Sequence, residues 1–547
     1  MTAEKSQPTT PCNLWTRNTI RLQIAFLLSA AMMTCGLLRG HLGMALVCMM
    51  RTNLNSTLPE DIYTSSLQVD WSLQNVGTIH TAFYVGTFIS VLVAHKLAQS
   101  IGAKATITGG IIINILCTWS VPTVVYFMPH YIYTAVLRFL MGLGQGIFIP
   151  CASLLIAKWF PMHEKSTAMA IFSTGNQVGL ALAMFATAEL CKVRYLDGWP
   201  TSFFLYGLIG ACFLGVWLPH VNNKPRECRR ISESELTHIE ECESRLRAMS
   251  MNLSIPYKTL FCSPVIVAIC LSSFCQSFVM VSMISYLPEY YRSVLKLGIS
   301  ANGQWSSIPF LIQMFSKMGF AFLADYLKIH GCRINTVTKI FNSIASFGCA
   351  ICLFLVCITT DGTLIMVLLC SGLTLTSAFV PGYNTSIVSV APAFTTVISA
   401  YAQCYAQIAS VCAPLMVGFI TTHSTAAEWR IVFLVIAATC VVTGLFFQYF
   451  GSATVQPWAL GNQVFVDKNA STFTIHMESA DSYLSVADPE ASLAAESQTF
   501  LSDPQQQKLL AIPKRVNRKS PRVSIMEEDG EIVRPGDDEE EKENRQL

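Results

Sequence analysis

Five cationic or titratable side chains interrupt otherwise apolar stretches of this 547-residue sequence: Arg39, His41, His80, Arg138 and Lys317. An ionised group in hydrocarbon costs at least about 2.5 kcal/mol on insertion scales, so each is a candidate for binding or for a relay. Two guanidinium groups brought together from different helices attract a carboxylate or a phosphate, and their planar fork suits two-point capture. Arg39 lies deep in its stretch and is the stronger candidate. Arg138, within Ala135–Leu140, lies near the start of its own, where snorkelling to the interface is an equal alternative. Lys317 sits near an end of its stretch and reads as structural. No acidic residue lies deep in any apolar stretch, so a group that changes charge near neutral pH has to be His80 or His41. Each also fits as a neutral histidine hydrogen-bonded between helices. These residue types point to a small anionic solute as partner.

Such side chains need elements that hold them at depth. The sequence is 52% hydrophobic and 13% charged, a balance that asks for a lipid bilayer rather than a soluble core. Windows of about 20 apolar residues, enough to cross roughly 30 Å of hydrocarbon, predict an all-α membrane protein of twelve spans. These are Leu22–Met49, Val76–Ala94, Ala105–Phe127, Tyr131–Ile156, Ser166–Glu189, Thr201–Leu218, Phe261–Leu287, Gln304–Ala324, Thr338–Cys357, Thr363–Val388, Val397–Ile420 and Ile431–Phe450. The fourth carries Gly142-Leu143-Gly144-Gln145-Gly146, small residues that suit close helix packing better than ligand contact, and then Pro150, which kinks or opens a helix.

The chain divides into a cytoplasmic segment 1–21, a six-helix half 22–218, a charged connector 219–260, a second six-helix half 261–450 and a polar tail 451–547, expected to be disordered. Inner segments before the tail carry about seventeen Lys and Arg and outer segments about six when both termini are cytoplasmic, and that asymmetry sets the orientation. Asn55, in Asn55-Ser56-Thr57, then falls in an outer loop as a glycosylation candidate. Asn252 would face the cytoplasm, and Asn384-Thr385-Ser386 lies inside a span. Most of the 20 cysteines lie in spans and behave as small apolar residues; Cys191, on the outer side, is the one to inspect for oxidation. Within the tail, Ser520 and Ser524 beside basic residues are weak phosphorylation candidates, and Lys508-Leu509-Leu510 is an incomplete dileucine signal. No secretory cleavage site opens the chain, so the first span is expected to stay. A Ser/His/Asp arrangement, a phosphate-cradling glycine loop and Cys/His metal spacing are all missing from the sequence, which argues against an enzyme or a cofactor site. A net charge of +2 gives no reason to expect a nucleic acid.

The segment Leu137–Pro150, followed by Ala157-Lys158-Trp159-Phe160-Pro161-Met162-His163-Glu164-Lys165-Ser166, resembles the fourth span and following loop of the anion:cation symporter family, solute carrier family 17 of the major facilitator superfamily. Leu38–Val47 resembles the family's first-span arginine motif, and Gly102-Ala103-Lys104 its loop after the second span. Trp199-Pro200, Tyr286-Leu287-Pro288, Leu323–Leu327, Ala391-Pro392 and Gln456–Ala459 also fit their usual places, so that only the ends of the chain fall outside the likeness.

The resemblance implies a major facilitator fold working by alternating access, with Arg39 and Arg138 at positions that bind or orient an organic anion. His80, in Gly77–Tyr84, matches a second-span histidine of the glutamate-transporting branch, and Tyr84 stands one turn beyond it. Two departures count against glutamate. Gln145 stands where the family usually has a glutamate used in proton coupling, and Gln276 where the glutamate branch has an arginine. Gln99 replaces an acidic residue of the superfamily motif after the second span, while Asp325 keeps its second-half equivalent. That predicts an asymmetric gate, with Asp325 near a cation such as Arg333 or acting as a helix-end cap. His41, where asparagine is usual, joins His80 as a coupling candidate.

The expected function is secondary active transport of small organic or inorganic anions by a monomer, coupled to H+ or Na+. The membrane is the plasma membrane or a lysosomal or vesicular one. A non-transporting anion sensor on the same fold and an uncoupled facilitated carrier are the alternatives.

Overall fold

The computed structural model describes residues 19–50, 68–161, 164–193, 198–240 and 257–460. Within them lie twelve helices long and apolar enough to cross a membrane. They are α1 Ile20–Met49, α2 Leu73–Ile101, α3 Ala103–Phe127, α4 Tyr131–Trp159, α5 Lys165–Leu190, α6 Pro200–His220, α7 Pro264–Ser293, α8 Ile299–Ile329, α9 Ile334–Ile358, α10 Gly362–Ser389, α11 Thr395–Ile420 and α12 Ala426–Phe450. Most run past the predicted spans, because the backbone ladder continues through polar turns that hydropathy excludes. Thus α2 continues to Ile101 and α8 covers both Ile299–Gly303 and Asp325–Ile329. The start of α7 moves the other way: it begins at Pro264, three residues after the predicted Phe261, which falls in a separate short helix, Tyr257–Cys262. Proline at that first position lacks an N–H that a helix start leaves unpaired anyway.

In the first half α1 packs on α5 and α2 on α4, and in the second α7 packs on α11 and α9 on α12; α2–α11, α5–α8 and α1–α7 join the halves. Since lipid is as apolar as leucine, such contacts come from close fit rather than from apolar burial. The α2–α4 pair shows how. A Cβ on Gly142 would strike the carbonyl of Phe83, one on Gly146 would strike Ser90 and Thr87, and one on Gly86 would strike the carbonyl of Phe139. The glycine run of α4 is therefore a packing surface. The outside of the bundle carries large apolar side chains, Phe322 and Phe315 among them, where only lipid can cover them.

Two helices are interrupted. α4 loses its regular ladder at Ile147, between Gly146 and Phe148. Pro150 has no N–H to offer the Gly146 carbonyl, which accounts for the break one turn ahead of it. α10 passes from α-helix through a 3-10 turn at Thr376–Phe379 into a wide turn at Val380–Asn384, where Gly382 leaves helical geometry with ψ −124°. Asn342 of α9 lies against that glycine. Asn384, the sequon inside a span, belongs to this wide turn.

The connector leaves α6 and enters α7 on one face of the bundle, called here the connector face; the other is the far face. On the connector face Arg21 is fully buried. Its Nη1 donates to Glu164 Oε2 at 2.5 Å and its Nε to Glu235 Oε1 at 3.0 Å. Glu235, from connector helix 233–240, also accepts from the backbone N–H groups of Ile20 and Arg21, so it caps α1 from 214 residues away. On the far face Cys48 at the end of α1 is joined to Cys191 just after α5 by a disulfide. Cys191 is the cysteine the sequence marks, and the fold supplies its partner.

Two outcomes follow from this packing. Gly142→Ala is expected to destabilise the purified protein by about 1–3 kcal/mol through overpacking. Gly109→Ala, with nothing within 4 Å of the added methyl, should be neutral or slightly stabilising, and thermal unfolding in detergent compares the two.

Candidate anion site

Arg39, His80, Tyr84 and Arg138 come together at mid-depth, on three helices of the first half, and line one cavity with Gly40, Gly43 and Phe83. Ile284 and Ser285 of α7 close it from the second half. Four of these residues recur on α1 and α2 at helical spacing: Arg39 and Gly43 lie four apart, as do His80 and Tyr84, so each pair shares a face. A Cβ on Gly43 would meet the carbonyls of Ile284 and Ser285, and this is how closely α1 and α7 approach.

The two arginines differ in support. Arg39 Nη2 donates to Asn176 Oδ1 of α5 at 2.9 Å, which fixes its guanidinium, while its Nε has no partner. Arg138 is only 2% exposed, and neither its Nε nor its Nη2 has a partner among the described residues. Burial at that level rules out snorkelling to the interface. His80 Nε2 is likewise unpartnered, with its ring 5.5 Å from that of Tyr286. No carboxylate lines this cavity, so positive charge gathers around donors that lack acceptors. The chemistry of such a lining suits an anion. In this conformation the cavity is about 10 Å³, room for roughly one water, so a solute enters only when the helices part.

The other predicted residues fall elsewhere. His41 is fully buried, but its Nδ1 bonds the Leu37 carbonyl at 3.1 Å and its ring packs 4.5 Å from Phe203 of α6. It is not among the residues that line the cavity, although its Nε2, like that of His80, has no partner among the described residues. Gln145 donates from Nε2 to the Cys35 carbonyl of α1 at 3.2 Å, and its Oε1 is unpartnered; it braces α4 against α1 behind the site. Gln276 accepts from the Tyr383 hydroxyl at 2.5 Å, tying the wide turn of α10 to α7. Asp325 pairs with Lys328 one turn further along α8 at 2.9 Å, not with Arg333, because a three-residue helical step brings that lysine alongside. Its counterpart Gln99 bonds His95 in the same way. Asn55 and tail residues 461–547 lie outside the described residues.

Sequence reasoning missed the seam between the halves. Gln177 Nε2 donates to Gln313 Oε1 at 2.9 Å at mid-depth. On the far face Arg292 of α7 donates to the Val47 carbonyl of α1 at 2.7 Å while pairing with Glu289, and Ser300 of α8 bonds both Glu189 and Lys192 of α5's end. These named contacts lie at mid-depth or on the far face. On the connector face Gln99, Ser173 and Lys96 are exposed. The one available signal was polar side chains repeating on single faces of α5 and α8, too sparse for a hydropathy window.

Residues 40–414 match the sequence profile of the Major Facilitator Superfamily. A Drosophila melanogaster protein named for inorganic phosphate cotransport is 27% identical over 393 residues, 71% of this chain and 74% of the relative. A Mus musculus protein named for small-intestine urate export is 27% identical over 480 residues, 84% of this chain and 95% of the relative. Among solved structures, the inward-open xylose transporter XylE from E. coli is similar with a TM-score of 0.61 at 14% identity, covering 81% of this chain and 98% of that one. The relatives are of the kind the arginine motifs resemble, and the structural match shows the fold.

If the cavity takes an anion, titrating inorganic phosphate into the purified protein raises its melting temperature. Saturation at 100 times the dissociation constant adds about 2.7 kcal/mol. Arg138→Gln should abolish that shift, and an equal shift in both proteins would show that phosphate binds elsewhere.

Proposed function

Since this chain belongs to the Major Facilitator Superfamily, we propose that it is a secondary active transporter that carries a small organic or inorganic anion by alternating access. The observation that carries this reading is the pairing of Arg39 and Arg138 around a cavity that no carboxylate lines, where the halves meet. Guanidinium groups that find no acidic partner need a counter-charge from outside, and a transported anion supplies it.

The cycle follows from the seam. With the connector face cytoplasmic, as the charge asymmetry expects, the far-face contacts of Arg292, Glu189 and Ser300 hold the outer side shut while Lys96, Gln99 and Ser173 stay exposed on the inner side. An anion arriving at Arg39 and Arg138 neutralises the site and allows the helices to repack around it; breaking the far-face contacts then opens the other side. Among candidate anions, phosphate and urate suit the names of the relatives, while the glutamine at 145 and the glutamine at 276 weigh against glutamate. A disulfide at Cys48–Cys191 agrees with an outer far face.

His80 is the proton candidate, because it lines the cavity with the arginines whereas His41 packs on Phe203 and Tyr206. A proton there adds positive charge beside two cations, which only an anion offsets, so proton and anion favour each other's binding. Sodium remains the other coupling ion to test.

The experiment is uptake of labelled phosphate, urate, sialic acid, glutamate and aspartate into proteoliposomes under imposed proton, sodium or voltage gradients. Arg138→Ala is expected to cut flux of the carried anion by at least about a hundredfold, as loss of a buried charged contact should. Binding without flux would favour an anion sensor. In the same assay His80→Asn should flatten the pH profile while His41→Asn leaves it unchanged, and the reverse pattern would remove His80 from the coupling step.

A further inference from the structure

α8 crosses the membrane with two distinct faces. Phe315, Met318, Phe322 and Tyr326 are exposed at steps of three and four residues, a stripe turned to lipid. The opposite stripe, Ser306, Phe310, Gln313 and Ala324, is buried. Lys317 falls on that inner stripe, four residues after Gln313 and so one turn nearer the connector face. It is only partly exposed, and it has no hydrogen-bond or ion-pair partner among the described residues. The carboxylate nearest along the helix, Asp325, lies two turns on and is held by Lys328.

Depth places this lysine relative to the anion site. Asn176 holds Arg39, and its neighbour Gln177 holds Gln313, so the arginine site and the inter-half hydrogen bond share one level. Gln313 Nε2 also donates to the Leu373 carbonyl and Thr376 Oγ1, at 2.8 and 3.0 Å, which anchors this level to the start of the break in α10. One turn below, Ser173 of α5, four residues before Gln177, is exposed, and the antiparallel register set by Gln177 and Gln313 brings Lys317 of α8 to the same level. The partly exposed Lys317 therefore lies between the level of the arginines and the connector face, on the side of α8 that meets the first half.

We infer that Lys317 is a second anion station, on the connector side of the Arg39–Arg138 site, which receives the solute before it enters or after it leaves. The inference rests on the anion-transport reading above. A compact ammonium with three donors and no fixed partner suits transient capture of a phosphate or carboxylate, whereas a guanidinium pinned by Asn176 suits selection. Closing the connector face would press α5 onto this turn of α8. Closing on a bare ammonium buries an uncompensated charge, while closing with an anion in place does not, so occupancy of Lys317 favours closure of that face.

Oriented proteoliposomes of the full chain test the station. With phosphate as the probe, Lys317→Gln should raise the half-saturating concentration at the connector face about tenfold and leave the far-face value within about twofold, while Lys317→Arg keeps the wild-type value. An unchanged connector-face value, or an equal loss at both faces, overturns the inference while wild-type flux still supports transport. If the wild type carries no anion, it is the transport reading that fails. Equilibrium binding of labelled phosphate to the purified protein then still decides the station. Two classes of site are expected, with Lys317→Gln losing one and Arg138→Gln the other; the same classes in Lys317→Gln and wild type overturn it.

Discussion

Arg138 sits at mid-depth with two guanidinium nitrogens unpartnered, and the bundle around it is arranged to make that tolerable. In hydrocarbon there is no water to satisfy a polar group, so a fixed cation must be buried in protein and near a source of negative charge. The first half supplies hydrogen-bond geometry through Asn176 and aromatic walls through Phe83 and Tyr84, but no acid. An unneutralised charge of this kind is costly to hold, and in the transport cycle proposed above an incoming anion relieves that cost.

The close fit is uneven, and the unevenness matters for movement. α2 and α4 are locked by glycines whose Cβ positions are filled by neighbouring backbone, so they move as one body. Between the halves, close glycine approaches such as Gly43 to the Ile284 carbonyl and Gly77 to Gly418 are joined by polar contacts: Gln177 with Gln313, Arg292 with the Val47 carbonyl, Ser300 with Glu189. Such bonds exchange for water at little net cost once a side opens. The buried Arg21–Glu164–Glu235 cluster lies on the other side of this division. It binds the start of α1, the α4–α5 loop and the connector helix into one unit, so the connector travels with the first half.

α10 is the exception within the second half. Its wide turn around Gly382 leaves regular geometry beside Asn342, whose side-chain oxygen and nitrogen both lack partners among the described residues. Wide turns of this sort recur at functional sites because they free backbone groups and bend easily. Gln276 and Gln313, each reaching a residue in or next to this stretch, connect it to α7 and to the seam.

Much of this was open to reading from the sequence. Spans follow from hydropathy alone, since lipid imposes length and apolarity on each helix independently of its neighbours, and Arg39, His80 and Arg138 stood out because charge in such a window has a price, whereas Tyr84 came only with the family resemblance. Rotation was not readable. His41 and His80 look alike as interruptions, yet one packs on Phe203 and the other lines the cavity with the arginines, because helix facing depends on which neighbours a stripe meets. Lys317, read as structural from its place near a span's end, turned out to lie on the inner stripe of a helix longer than the span. Asn176, Gln177 and Gln313 carry no charge and so gave no signal. Pairings across 143 residues, such as Cys48 with Cys191, or across 214, such as Arg21 with Glu235, arise only when the chain closes on itself. Composition and periodicity thus determined how many helices cross and which cations interrupt them. Tertiary packing decided which cations meet, because contact between helices is set by shape complementarity over long sequence separations, which no local pattern encodes.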